Sequence, residues 1–266
     1  MSWNDMSDLT GLVSWYKADS LSASDGDLVD SWADSSGNGW TLSASGGSRP
    51  TYRASETNSL PAVEFNGSSN ILSSGQNAVP VNLQVAAVVD FASLKTYQGL
   101  VAIDGNATPA YHNDFFQWFG YATGNSLVGG NGRFRQYSDA YSAGPSVIRT
   151  GLCSGLRTLS IRNGDMTTAP VNTSYLAPPA AGSAYIHLGY VGLGGSYLSG
   201  SISELVIYSD AEPSSGVWVE GYLAHKYGVA LEPGHLFKEA PPNSAPETYN
   251  SGGESQNPFR SRAFGA

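Results

Sequence analysis

The chain has 266 residues, enough for one large β domain or one domain with an appendage. Its 32 glycines, 13% charged residues and net charge of −9 fit short strands joined by glycine and serine turns, and exclude a helical bundle. The acidic balance excludes the basic patch that nucleic acid requires, and a single cysteine, Cys153, excludes an internal disulfide and a cysteine-built zinc site.

The N-terminal run MSWNDMSDLTGLVSW has neither the basic flank nor the apolar core of a signal peptide. Synthesis in the cytoplasm is therefore expected, and no stretch approaches the roughly 20 apolar residues of a membrane span. Gly11 to Asp19 reads as the first strand, with Leu12, Ser14 and Tyr16 on one face and Val13, Trp15 and Lys17 on the other. Leu28 to Trp32 leads into the turn-forming run Asp34-Ser35-Ser36-Gly37-Asn38-Gly39. Pro61 to Phe65 is a strand ending at Asn66-Gly67, and Val81 to Phe91, dense in β-branched residues, predicts a central strand. Leu100–Ile103, Phe115–Tyr121, Arg133–Tyr137, Leu156–Arg162 and Ala184–Val191 continue the pattern, with Asn163-Gly164 as a hairpin turn. Strands at this spacing with no helical period between them predict an antiparallel sandwich.

From Gly200 to Val229 the period changes within one stretch. Ile202, Glu204, Val206 and Tyr208 alternate with Ser203, Leu205 and Ile207, the repeat of a strand. Pro213 suits the first position of a helix, and Val219, Tyr222, Leu223 and Tyr227 then form one apolar stripe, with Glu220 and Lys226 facing elsewhere. Gly228 closes the helix, which is expected to lie on the edge of the sandwich.

The Gly-x-Ile-x-Glu-Leu-x-Ile-Tyr strand followed by Val219-Glu220-Gly221-Tyr222-Leu223-Ala224-x-Lys226-Tyr227-Gly228 resembles the end of laminin-G-like jelly-roll domains. Trp32-x-Asp34-x-Ser36-Gly37-Asn38-Gly39 and Pro61 to Gly67 are two further points of likeness. These domains belong to the concanavalin A-like lectin and glucanase superfamily, and many occur in bacterial surface and bacteriophage virion proteins. The resemblance implies an all-β jelly-roll sandwich over 1–232 with one short C-terminal helix. Fold alone does not settle function.

Residues 233–266 differ in character. They hold five prolines and isolated aromatics at Phe237, Tyr249, Phe259 and Phe264, with Arg260 and Arg262 near the tip. Such a composition cannot close its own core, so the segment is expected either to fasten onto a partner as an extended arm or to fold back on its own domain.

The superfamily's glucanase branch resembles Glu-x-Asp-x-x-Glu, and that pattern is missing. Glu64, Glu204 and Glu220 stand apart in sequence, whereas paired carboxylates work only about 5–10 Å apart. The histidines His112, His187, His225 and His235 have no metal-ligand spacing. Two features remain. Asp25, Asp27, Asp30 and Asp34 crowd one loop region; hard oxygen ligands of this kind suit calcium, but the full twelve-residue calcium-loop pattern is missing and Asp is the ordinary residue of turns. The second is the aromatic run around Phe115–Tyr121. There Tyr111, Phe116 and Trp118 beside Asn113 and Asp114 either lie covered by loops and the tail or form plates for a sugar ring with polar groups for its hydroxyls.

These readings converge on a protein that binds and does not catalyse. The expected role is a bacteriophage virion protein, a capsid decoration or tail-associated component on the virion surface. Its C-terminal arm would tether it to other virion proteins or to copies of itself. The alternative is a lectin-like adhesin for a cell-surface glycan, and a glycan hydrolase comes third.

Overall fold

The computed structural model describes residues 6–7, 9–80, 83–93, 95, 97–109, 114–121, 125–130, 133–137, 144–153, 157–163, 182–192, 194–209 and 213–242. Over 114–117, 119–121, 125–130, 133–137, 149–153, 157–162 and 213–214 the description is of the backbone alone. The first strands are β1 (Leu12–Lys17), β2 (Ser31–Trp32), β3 (Leu42–Ser43), β4 (Thr51–Thr57), β5 (Leu60–Asn66), β6 (Leu72–Ser74) and β7 (Asn77–Val79). They are followed by β8 (Leu83–Phe91), β9 (Gln98–Asp104), β10 (Asp114–Tyr121), β11 (Asn125–Gly130) and β12 (Arg133–Tyr137). The chain closes with β13 (Gly144–Cys153), β14 (Arg157–Arg162), β15 (Gly182–Leu188), β16 (Ser199–Ser209) and the helix α1 (Pro213–Tyr227).

Two antiparallel sheets result. The seven-stranded sheet runs β14-β13-β8-β16-β5-β4, with β1 also paired to β16. The nine-stranded sheet runs β12-β11-β10-β9-β15-β6-β3-β2, with β7 also paired to β15. The fold is the expected all-β sandwich. Its main core lies between the sheets, where Val85, Val89, Phe91, Leu205 and Ile207 meet Leu42, Leu72, Val101, Ile103, Ile186 and Leu188. At about 1.5–3 kcal/mol per fully buried large apolar side chain, this layer is the chief source of stability.

Strand β8 is central, as its composition predicts, and both of its faces are buried. Val85, Ala87 and Val89 point between the sheets, whereas Ala86 and Val88 point outward into a second apolar layer. A strand covered on both sides reads as a continuous apolar run, which is what LQVAAVVDF is.

Strand β16 departs from simple alternation. Its register against β8 shifts between Ile202 and Glu204, so Ile202 joins Leu205 and Ile207 inside while Val206 and Tyr208 face out. One extra residue in a strand flips the parity of whatever precedes it. Strand β1 shows the same effect: a shift between Leu12 and Ser14 puts Val13 and Tyr16 together in the main core, with Trp15 on the outer side.

The helix does not lie on the sandwich edge. It covers the outer face of the seven-stranded sheet, where Trp218, Val219, Tyr222, Leu223 and Tyr227 pack on Trp15, Ala86, Val88, Val147, Val206 and Tyr208. Pro213 starts it, and it ends at Gly228 (φ 62°), where the Val229 N–H donates to the Ala224 carbonyl at 2.9 Å. The side that sequence leaves polar is covered as well. Glu220 is 2% exposed and meets His235, whose Nε2 lies 3.1 Å from its carboxylate.

That contact ties the start of the expected arm to the helix. His235 and Phe237 return to the helix, and Phe237 sits against Gly221, where a Cβ would come within 2.7 Å of the phenyl ring. Phe237, expected as a partner-binding anchor, thus packs half-buried on the domain's own helix. Tyr249, Phe259, Arg260, Arg262 and Phe264 lie outside the described residues. Among the described residues no helix is long and apolar enough to cross a membrane.

Beneath the helix, the outward turn of Glu204 has consequences. Its carboxylate is fully buried and accepts from Trp15 Nε1 (2.6 Å), Lys226 Nζ (2.6 Å) and the Tyr227 hydroxyl (3.0 Å). Lys226 also reaches Asp19 at 2.8 Å. Burial alone would lower the Lys226 ammonium, but the Glu204 and Asp19 carboxylates outweigh it and hold the group above its ordinary value. The Tyr227 hydroxyl is pushed far upward, first by burial and then by Glu204. This network locks the helix to the sheet.

Candidate functional site

The outer face of the nine-stranded sheet is built differently. Along β15, Ala184, Ile186 and Leu188 enter the core, so the alternate residues Ser183, Tyr185 and His187 face out. Pairing carries that outward row across the sheet: His187 opposes Ser73, Ser73 opposes Ser43, and Ser43 opposes Ser31. On the other side His187 opposes Ala102, which opposes Gln117. Adjacent strands lie about 4.8 Å apart, so hydroxyl-bearing side chains recur at that spacing over β2, β3 and β6 and end on an imidazole.

The histidine is held firmly. Its Nε2 lies 3.1 Å from the Asn106 carbonyl, which can only accept, so Nε2 carries the proton. Nδ1 is then the acceptor for the Ser73 hydroxyl at 2.8 Å. Tyr185 stacks on the imidazole with ring centroids 6.1 Å apart and planes inclined 21°. Burial pushes the His187 pKa below its ordinary value, against the upward pull of the Asn106 carbonyl and Asp104, so the ring is neutral near pH 7. Asp104 Oδ1 in turn accepts from the Asn106 N–H (2.8 Å) and side-chain amide (2.9 Å), fixing the loop that follows β9.

Exposure changes along the row. Ser31 and Ser43 are open to solvent and Ser73 and Tyr185 are half-buried. His187, Ala102 and Asp104 are 0% exposed although they face outward. The face is therefore a shelf, open over β2 and β3 and walled over β9. The neutral hydroxyls and one aromatic ring can bond and stack on a polyhydroxylated ligand, while the buried imidazole, both nitrogens engaged, holds Ser73 and Tyr185 in place.

The sequence-predicted residues fare unevenly. Trp118 is 1% exposed and belongs to the core between the sheets, so it is not a plate for a ligand. Its strand β10 does lie in this sheet, and register sets Asp114 opposite Asp104 and Phe116 opposite Ile103. Tyr111 and Asn113, and the side chains of Asp114 and Phe116, lie outside the described residues.

The four aspartates do not converge. Asp25 accepts from the Ala54 N–H (3.0 Å), Asp27 from the Ser24 N–H (2.7 Å), and Asp30 pairs with Arg49 (2.9 Å). Asp34 is occupied by four donors, the N–H groups of Trp15, Ser36 and Trp40 and the Ser36 hydroxyl. Among the described residues no three His, Cys, Asp or Glu side chains gather as a metal site. Turn chemistry, the other reading of these residues, accounts for the bonds they make.

Two other features were legible only in part. A cleft of about 570 Å³ opens at the rim between β1 and β7, beside Asn38, Trp40 and Asn77. The Asn38 amide is turned onto the Leu12 and Val13 carbonyls (2.9 and 3.1 Å), which makes the cleft a seam of the fold. Elsewhere Tyr190 and Tyr197 stack at 4.4 Å and 18° across a glycine-rich loop. That loop is pinned by Gly99 N–H to Ser196 O and Leu198 N–H to Gly189 O, both 2.9 Å. Aromatic residues bracketing GLGG are a cross-strand pair signal that sequence does contain.

In fold the chain is similar to domain 4 of AbnA, a GH43 extracellular arabinanase from Geobacillus stearothermophilus, solved in complex with arabinotriose. The TM-score is 0.50 at 18% identity, covering 70% of this chain and 94% of that one. It is also similar to a Trypanosoma rangeli sialidase, with a TM-score of 0.53 at 12% identity, covering 81% of this chain but only 33% of the sialidase. The CBM40 of a Ruminococcus gnavus IT-sialidase follows at a TM-score of 0.41 and 13% identity, over 49% of this chain and 77% of that one. No protein-family model and no curated protein matches the chain. At such identities the likeness is one of fold. The chain is a β-sandwich similar in fold to that arabinanase domain and to part of that sialidase.

Proposed function

We propose that this domain binds a glycan on the outer face of its nine-stranded sheet and does not cleave it. The observation that carries this reading is the row Ser31–Ser43–Ser73–His187 with Tyr185 beside it, a neutral, hydroxyl-rich surface on rigid strands with an aromatic ring held in place. Sugars present alternating hydroxyls and apolar C–H faces, which such a surface matches with hydrogen bonds and stacking. The similarity in fold to a domain solved with arabinotriose supports the same reading.

Binding without hydrolysis is favoured by where the glutamates sit. Glu64 is paired with Arg53 at 2.6 Å, Glu204 is locked beneath the helix, and Glu220 is buried against His235. None of the three stands on the shelf, where an acid and its carboxylate partner would have to flank a glycosidic bond. A glycan microarray probed with the fluorescently labelled chain tests the proposal. Binding to a defined set of glycans is expected, reduced severalfold by Tyr185→Ala. A chain that binds no glycan, or a Tyr185→Ala variant with unchanged signal, contradicts it.

A further inference from the structure

We infer that the shelf takes the uncharged terminal sugar of a glycan chain, not an internal segment, an inference that rests on the glycan-binding reading of the same face. The row of outward side chains descends from solvent into a wall. Ser31 and Ser43 are exposed and Ser73 half-buried, whereas His187, Ala102 and Asp104 are 0% exposed. Ala102, between His187 on β15 and Gln117 on β10, is fully covered as well. The Asn106 carbonyl standing on His187 Nε2 shows that the loop after β9 is among what covers this part. A ligand laid across the strands from the β2 edge therefore has an open entrance and a closed far end. A chain running on towards His187 would meet the Asn106 end of the loop, so the sugar beside Ser73 and Tyr185 is the last one.

The chemistry of the wall selects the charge of that sugar. Behind the imidazole lies the buried Asp104, and Tyr185 and Ser73 are uncharged. Among the described residues of this row there is no lysine or arginine, and the whole chain carries −9. A uronate or sialate carboxylate placed here would be desolvated beside a like charge without a cation to pair with, which strongly disfavours it. A neutral sugar meets donors and acceptors that suit its hydroxyls.

The test uses the full chain on a glycan array containing matched triplets: a neutral terminal sugar, the same sugar capped by one further residue, and the same terminus carrying a uronic or sialic acid. At least a tenfold loss of signal is expected on capping and on acidification. Ser43→Trp, at an exposed position over the entrance, should abolish binding while leaving the melting temperature unchanged. Equal binding to capped and uncapped members, or preference for the acidic terminus, overturns the inference while leaving glycan binding intact. Failure to bind any member removes the underlying reading with it.

Discussion

The two outer faces of this sandwich come from the same alternation and end in opposite states. Outward positions on β1, β8, β13 and β16 are Trp15, Ala86, Val88, Val147, Val206 and Tyr208, and the helix with residues 231–237 covers them. On β2, β3, β6 and β15 the outward positions are Ser31, Ser43, Ser73, Tyr185 and His187, and the face stays open at one end. An apolar face must recruit a cover, because exposed contiguous apolar surface is unfavourable. A polar one is stable in water and remains available to a ligand. One face is structure and the other is free to act.

Substitutions should break the two faces with very different force. Lys226→Met leaves Glu204 buried without its cation, so a loss of roughly 3–5 kcal/mol is expected in chemical denaturation. Leu223→Ala, at a fully buried position on the helix, should lose roughly 2–5 kcal/mol. If either lost less than half a kcal/mol, the helix would not be holding that face. Phe237→Ala should cost roughly 1–3 kcal/mol, because the ring seats on Gly221 at the back of the helix. A wild-type melting curve for that variant would return 233–242 to the arm.

Acid and alkali should separate the faces in opposite directions. His187 has a lowered folded-state pKa, so the unfolded chain takes up a proton first as pH falls below 6.5, and stability drops towards acid. Lys226 has a raised one, so its contribution is complete below 10.5 and disappears as pH rises past that value through the folded-state pKa. Melting temperatures across pH should show both slopes, with His187→Gln removing the acid one and Lys226→Met weakening the alkaline one, which the raised Tyr227 hydroxyl shares. An acid slope that survives in His187→Gln would place the titrating group elsewhere. The smallest effect belongs to Ser43→Val: at an exposed position, stability should change by less than about 0.5 kcal/mol.

The difference between the faces also explains what sequence could show. Strand β8 and the helix were legible because LQVAAVVDF and the Val219-Tyr222-Leu223-Tyr227 stripe each carry their period locally. Parity was not, because bulges in β1 and β16 shift which residues face inward without leaving a mark in the alternation. Trp118 was misread for a related reason. Aromatics occupy both sets of positions in β10, and its register against β9 shifts between Trp118 and Phe119, so alternation could not say which face was core. Glu220 looked solvent-facing because its partner His235 lies beyond the helix, in a segment whose composition suggested an arm. The shelf was hidden most fully. Ser31, Ser43, Ser73 and His187 are brought together only by strand order and register, and β2, β3 and β6 are too short to announce themselves.

The central claim is that the polar face, and not another aromatic surface, is where ligand binds. Calorimetric titration of the strongest array glycan into the wild-type chain, Tyr185→Ala and Tyr190→Ala decides it. Roughly tenfold weaker binding is expected for Tyr185→Ala, about 1.4 kcal/mol, and wild-type affinity for Tyr190→Ala. Loss of affinity in Tyr190→Ala with Tyr185→Ala unchanged would contradict it and move the site to the stacked pair on the β15–β16 loop.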